Sequence, residues 1–221
     1  MMKKFAIVTD STAYFTNEQF EEYGIKRGSL NIIAGDNTYR EVDMVNEDVY
    51  KLFEEGHKLT TSQPSPGEFL ENYEELITKG YEKIFVILIS KNLSGTFQSA
   101  NLAKNMLSEP SKVYIFDTML AAYGTEMITE QVIKMVDDNK TEEEIIERIN
   151  KIISTSGLMF TVENLFSLVK GGRISNTSAA IGTVLRIKPI VKMINGKLAV
   201  VNKERTYKRV NKYMVENVLE D

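Results

Sequence analysis

Small hydroxyl side chains are concentrated at four junctions of the chain. They occur in the segments TDST (9–12), TTS (60–62), ISKNLSGTFQS (89–99) and FDT (116–118). In an open parallel sheet the carboxyl ends of the strands meet at one edge, where ligands bind, and we expect these junctions to converge there. Helix N-termini at that edge add free backbone N–H groups and partial positive charge. The pattern predicts an uncharged cradle of hydroxyls and amides for a carboxylate or a phosphate.

The TTS segment precedes a predicted helix start. Ser65, Pro66 and Glu68 form the pattern of a capping box with proline at the first helical position, and helix initiation explains them. The cap does not explain Thr60, Thr61 or Ser62. Their hydroxyls either bond to nearby turn backbone or bind a ligand.

Catalysis is the alternative to binding. A serine nucleophile needs a base within reach, and the one histidine, His57, lies in the charged sequence FEEGHKL, which is typical of a surface turn. Asp10 and Asp117 end predicted strands and could orient a hydroxyl or bind Mg²⁺, although such acids more often hold loops. The chain contains no GxxxxGK[ST], GxGxxG or GxSxG motif. The residues favour binding, and a small hydrolase or phosphotransferase using Asp10, Ser94 or Asp117 stays open as the alternative.

Charge and composition limit the other classes. The net charge is −4, yet residues 186–212 carry nine Lys or Arg and one acid, Glu204. This basic segment is either a solvated face or a docking surface for phosphates or an acidic protein. Nucleic acid is not expected, because the chain is acidic overall and has no motif for it. The absence of cysteine fits a cytoplasmic protein, and we expect no signal peptide, no membrane span and no metal site rich in His or Cys.

Strand-like and helix-like segments alternate in the first part of the chain. KFAIVTD, EKIFVILIS (82–90) and KVYIFD (112–117) read as buried strands, and TNEQ and TEEE begin helices with capping boxes. This order predicts an α/β fold with a parallel sheet and helices on both faces. From residue 157 the pattern changes, with strands around the turn NG and a final helix. We therefore predict an N-terminal α/β domain, 1–155, and a second, smaller α/β domain, 156–221.

The segment KGGRIS, residues 170–175, has two interpretations. Gly171 or Gly172 could end a helix in a left-handed cap. Alternatively, the paired glycines bring the backbone close to a ligand or partner that Arg173 faces. The residue types alone do not decide between them.

Several segments, taken in order, resemble the DegV family of bacterial fatty-acid-binding proteins. They are DST (10–12), TSQPSPGEF (61–69), LSGTFQSA (93–100), FDT (116–118), KGGRIS (170–175) and GTVLRIKPIV with GKL (182–198). The resemblance spans nearly the whole chain. Family chains usually run longer and carry a histidine near their far end, which indicates a short or truncated second domain here.

The resemblance implies a two-domain α/β protein that holds one long-chain fatty acid in an apolar tunnel between its domains. Thr61 and Ser94 match the positions that bind the carboxylate, and the expected ligand set also includes Ser11, Ser62, Gly95, Thr96 and Arg173. A separate ATP-dependent kinase related to dihydroxyacetone kinases would convert the acid to an acyl phosphate for phospholipid metabolism. The chain is then a carrier without cofactor or metal. Arg173 and Arg205 are the candidates for kinase docking.

Overall fold

A computed structural model of the chain describes residues 4–163, 165–174 and 187–217. The chain forms two compact units, Met1–Thr155 and Ser156–Asp221. The α/β fold with a parallel sheet that the sequence predicts is confirmed.

The elements of the described residues are as follows in chain order. The strands are β1 (Phe5–Asp10), β2 (Lys26–Gly28), β3 (Asn31–Ala34), β4 (Asn37–Arg40), β5 (Leu59–Ser62), β6 (Lys83–Leu88), β7 (Val113–Asp117), β8 (Met159–Thr161), β9 (Lys188–Ile194) and β10 (Lys197–Glu204). The α-helices are α1 (Asn17–Tyr23), α2 (Asn46–Glu54), α3 (Pro66–Thr78), α4 (Thr96–Met106), α5 (Tyr123–Asp137), α6 (Glu142–Thr155), α7 (Phe166–Lys170) and α8 (Tyr207–Asn217).

The first unit is built on a parallel sheet with the strand order β2-β1-β6-β7. One face of the sheet packs against α3 and α4, where Phe69, Tyr73 and Ala100 meet Val8 and Val86. Helix α5 packs against β1 and β6, and its buried side chains lie outside that cluster, so it covers the other face. From Ile84 to Leu88, strand β6 is continuously apolar because both of its faces are covered.

Gly28, at the end of β2, permits one close approach in this core. A Cβ atom at position 28 would lie 2.7 Å from Cζ of Phe69, closer than two carbon atoms can pack. The glycine therefore allows the fully buried Phe69 ring to pack directly against the sheet.

Local capping signals predict the helix starts, with one correction. The boxes of Thr16 with Gln19 and of Thr141 with Glu144 are both present. Ser65 caps α3 by accepting a hydrogen bond from the N–H of Glu68, but the predicted return bond is absent. Oε1 of Glu68 instead accepts from the backbone N–H of Ser29 at 3.0 Å and from Arg40 at 2.7 Å. The Glu68 carboxylate therefore binds residues distant in sequence, and it does not bind the backbone N–H of Ser65 as a capping box requires.

A second sheet in this unit is small and antiparallel, with the order β4-β3-β5. Residues 60–62, expected in a junction at the parallel sheet edge, lie in β5 of this sheet. The placement of these residues in a loop is wrong, because β-branched threonines suit an extended strand that has a partner. That partner is β3, where Ile32 pairs with Thr61.

The second unit contains an antiparallel sheet with the order β10-β9-β8 and the helices α7 and α8. The predicted NG turn joins β9 to β10, with φ of 50° at Asn195 and 74° at Gly196. Leu165, Ile174 and Val191 form a core cluster. In both units, no helix that the structure describes has the length and apolarity needed to cross a membrane.

Candidate functional site

Asp10, the last residue of β1, is fully buried and connects two loops. Its Oδ1 accepts hydrogen bonds from the backbone N–H of Thr12 at 2.9 Å and from the Thr12 hydroxyl at 2.5 Å. Its Oδ2 accepts from the N–H of Ile89, after β6, at 2.8 Å. Burial raises the pKa of Asp10, and the hydrogen bonds from Thr12 and Ile89 oppose that rise. Both oxygens are therefore committed to holding backbone.

Asp117, the last residue of β7, has a similar role on the other side of β6. Its Oδ1 accepts from the N–H of Met119 at 3.0 Å and from the N–H of Lys91 at 3.3 Å. The Lys91 ammonium lies 3.5 Å from Oδ2. Since β6 lies between β1 and β7, the two acids hold the segment after β6 from both sides. They support a loop, which leaves neither carboxylate as an unengaged general base.

That segment carries Ser94 to the start of α4. Ser94 is half-buried, and its Oγ lies 2.8 Å from Oγ1 of the buried Thr96 and accepts from the Thr96 N–H at 3.3 Å. The N–H of Ser94 donates to the carbonyl of Ser90 at 3.2 Å. When Thr96 donates within the hydroxyl pair, Ser94 keeps its own proton for an anion. The position beside the first turn of an 11-residue helix adds favourable positive potential.

Thr61 lies in β5 with an exposed side chain. Its hydroxyl makes no hydrogen bond in the part of the chain that the structure describes. Strand alternation directs Thr60 and Ser62 to one face of β5 and Thr61 to the other. The Ser62 hydroxyl accepts a hydrogen bond from the side-chain amide of Asn31 at 3.3 Å. It therefore has a partner among the described residues, unlike the Thr61 hydroxyl. Thr61 offers a donor that the protein itself does not use.

Gln63 brings the Thr61 segment against the Ser94 loop. A Cβ atom on Gly95 would lie 3.0 Å from Cδ of Gln63, 3.1 Å from its Nε2 and 3.2 Å from its Oε1. The Gln63 amide therefore covers Gly95, the residue that follows Ser94. This contact joins the TSQP and LSGT segments, and the sequence reasoning missed Gln63. The only sequence signal for it is its position between the hydroxyl residues and Pro64.

Ser11 has a different environment from Ser94. Its hydroxyl donates to the carboxylate of Glu41 and accepts from the N–H of Leu30 at 3.0 Å. A serine hydroxyl has one proton to donate, and here Glu41 receives it. Ser11 therefore holds the β2–β3 connection to the turn after β1 and has no donor left for an anion in this arrangement.

The two arginines of the predicted set belong to the second unit. Gly172 has φ of 74°, which shows the left-handed glycine expected where α7 ends. The N–H of Arg173 donates to the carbonyl of Leu168 at 3.0 Å, and its guanidinium donates to the carbonyl of Gly171. Arg205 is exposed in the turn between β10 and α8. Ser175 and Arg186 lie outside the described residues.

His57 is exposed, and its Nε2 lies 3.6 Å from the carboxylate of Glu55, as expected of a surface turn. Among residues 4–163, 165–174 and 187–217, no group of three or more His, Asp or Glu side chains could hold a metal ion.

The parallel sheet and the added antiparallel sheets define an α/β protein, in which the hydroxyls of Ser94 and Thr96 lie at the start of α4. The chain belongs to the DegV family, described as uncharacterised proteins, whose family model matches residues 4–221.

Proteins similar to this chain include one known by sequence and two solved structures described as binding fatty acids. A DegV domain-containing protein of Caldanaerobacter subterraneus is 32% identical over 216 residues, covering 97% of this chain and 76% of that protein. A fatty-acid-binding DegV family protein from Thermus thermophilus superposes with a TM-score of 0.87 at 26% identity, covering 96% of this chain and 76% of that one. DegV of Bacillus subtilis, a fatty acid binding protein, gives 0.83 at 31% identity, covering 100% and 78%.

Proposed function

We propose that this chain binds a long-chain fatty acid and holds its carboxylate with the hydroxyls of Thr61 and Ser94. One observation carries the proposal. Thr61 has a hydroxyl without a hydrogen-bond partner among the described residues, and its segment contacts Gly95, next to Ser94, through Gln63. Relatives of the same fold that bind fatty acids support the choice of ligand.

A fatty acid is already ionised at neutral pH, so the protein does not need a base to remove its proton. Its carboxylate needs hydrogen-bond donors, and uncharged hydroxyls supply them. Each hydrogen bond from a neutral hydroxyl to a charged acceptor stabilises a complex by about 1.5–3 kcal/mol. The predicted roles of Gly95 and Thr96 fit a head group beside the start of α4. Ser11 donates its one hydroxyl proton to Glu41, and Ser62, which accepts from Asn31, lies on the face of β5 opposite Thr61. Thr61 and Ser94 are therefore the two side chains that we expect to matter most.

Matched threonine variants test the carboxylate site. Thr61→Val removes the hydroxyl and keeps the shape, and we expect fatty-acid affinity to fall about tenfold or more. Thr60→Val is the control, because Thr60 is also exposed in β5 but lies on its opposite face. Native mass spectrometry of gently purified protein gives the ligand directly. Repeated preparations without fatty acid, and no uptake on addition, would contradict the proposal.

We also propose that the bound acid is presented in the cytoplasm to a separate dihydroxyacetone-kinase-like kinase, which makes an acyl phosphate. Support comes from the basic segment. Several of its cations have partners: Lys188 with Glu163, Arg209 with Glu204 and Lys212 with Glu216. In contrast, Lys203, Arg205 and Lys208 are exposed, without an ion pair in the described part of the chain. This surface, together with Arg173, is where we expect an acidic face of the kinase to dock.

Charge reversal tests the docking surface. We expect Arg205→Glu to slow acyl-phosphate formation by such a kinase while leaving fatty-acid affinity unchanged. Lys197→Glu is the matched control, because Lys197 begins β10 and lies about 25 Å along that strand from the turn with Arg205. Equal effects of the two variants would show that only general charge matters.

The hydrolase or phosphotransferase alternative makes a different prediction. It requires metal-dependent turnover of an ester or phosphoester that Asp10→Asn or Asp117→Asn abolishes. A carrier shows no turnover, and these variants lower its stability because each acid holds the loop after β6. Turnover assays with the unmodified chain separate the two functions.

A further inference from the structure

A cavity opens at the amino-terminal edge of the parallel sheet, away from the hydroxyl groups. It has a volume of about 270 Å³ and is lined by the start of β1, the end of α1 and its link to β2, Tyr81 and the end of α5. The length of β1, about 16 Å, separates this edge from Asp10. We call this space the amino-edge cavity. It is too small for a long-chain fatty acid, since ligand pockets usually measure about 300 to 1,000 Å³.

The cavity has an apolar floor and aromatic walls. Ile7, Ile25 and Val136 are 4%, 5% and 6% exposed and form the floor. Phe5, Tyr23 and Tyr81 are half-buried. Two of these rings are fixed by edge-to-face contacts, Phe5 with Phe85 at 5.5 Å and Tyr23 with Phe15 at 6.0 Å. Walls already fixed in position lose little freedom when a ligand binds.

The charge of the lining is negative. Glu22 is its only charged residue, and this exposed carboxylate makes no ion pair or hydrogen bond within the described residues. The C-terminal end of α1 adds a partial negative charge. Gly24, which ends α1 with φ of 65°, has no atom within 4 Å of a Cβ position, so the cavity stays open on that side. Aromatic faces with an unpaired carboxylate are the groups that attract an organic cation.

We propose that the amino-edge cavity binds a small organic cation with an apolar body, an arylalkylamine, at a site separate from that of the fatty acid. The apolar body contacts the floor formed by Ile7, Ile25 and Val136. The ammonium group faces Glu22 and the tyrosine rings. This binding does not depend on the carboxylate site, so it stands or falls independently of the function proposed above.

Titration of the full chain with 2-phenylethylamine, followed by amide NMR, tests the proposal. We expect saturable shifts centred on residues 5–7 and 22–25, and weaker binding of 2-phenylethanol, which has the same shape without charge. Glu22→Gln should weaken amine binding about two- to fivefold. Glu21→Gln is the control, since Glu21 is an exposed acid of the same helix that does not line the cavity.

A second variant tests the aromatic contact separately from the charge of Glu22. Tyr81→Leu keeps an apolar wall but removes the aromatic face, and we expect a further two- to fivefold loss of about the size of an exposed cation–π contact. Thr61→Val should leave amine binding unchanged. Equal affinity for the amine and the alcohol, equal effects of Glu21→Gln and Glu22→Gln, or shifts away from the cavity would each overturn the proposal.

Discussion

The contact between Gln63 and Gly95 gives the sharpest prediction. In Gly95→Ala, the added Cβ would lie 3.0–3.2 Å from three atoms of the Gln63 amide. Carbon atoms pack best at about 3.5–4.0 Å, so the amide must move by a few tenths of an ångström. The backbone at position 95 has φ of −74°, which alanine adopts without strain. The substitution therefore displaces Gln63 without distorting the loop.

Gly95→Ala should weaken fatty-acid binding while changing the stability of the protein little. The overlap is small, Gln63 is exposed, and alanine restricts the unfolded chain, so we expect the free energy of unfolding to change by less than about 1 kcal/mol. A displaced Gln63 alters the spacing of Thr61 and Ser94, and we expect fatty-acid affinity to fall by about 0.5–1.5 kcal/mol, roughly two- to tenfold. Urea unfolding and a fluorescent fatty-acid titration measure the two effects.

A double-mutant cycle with Gln63→Ala tests the cause. Without the Gln63 amide, the new methyl group at position 95 meets no obstacle, so its effect on affinity should largely vanish. Gly67→Ala is the matched control, because a Cβ there lies 3.7 Å from the Ser65 hydroxyl, an ordinary contact. Additive effects of the two substitutions, within about 0.5 kcal/mol, would refute the idea that Gln63 sets the spacing.

Three further predictions concern stability. Thr118→Val removes a buried hydroxyl that donates to the carbonyl of Leu88 at 2.8 Å, and denaturant unfolding should show a loss of about 1–3 kcal/mol. Phe69→Ala, at a fully buried position, should cost about 3–5 kcal/mol in the same assay. A hydrogen bond from Lys26 lowers the pKa of Glu75 to about 2, so its stabilisation is present above the unfolded pKa of about 4.3 and is lost as the pH falls towards 2. Because the Glu75 side chain is 41% exposed, that loss is about 1 kcal/mol or less, and unfolding curves of Glu75→Gln between pH 5 and 2 should lack it.

The sequence alone determined the elements that depend on near neighbours. The strands around Val8 and Val86 follow from apolar runs, since a strand covered on both faces needs apolar side chains throughout. The caps at Thr16 and Thr141 follow from residues three positions apart, whose groups meet whenever a helix begins there. The residue types predicted hydroxyl-rich junctions that could hold an anion, and the family resemblance selected Thr61 and Ser94 among them.

Only the tertiary structure decided which groups meet across long stretches of chain. Glu68 has a local partner available, yet it binds Ser29 and Arg40, because folding brings these donors to it from other elements. Thr60 and Thr61 were expected in a junction between elements, and only the pairing with β3 shows that they belong to a strand. The contact of Gln63 with Gly95 spans 32 positions and has no periodicity that a sequence could reveal. Local geometry is set by short-range sterics and hydrogen bonds, whereas the site depends on packing between distant segments.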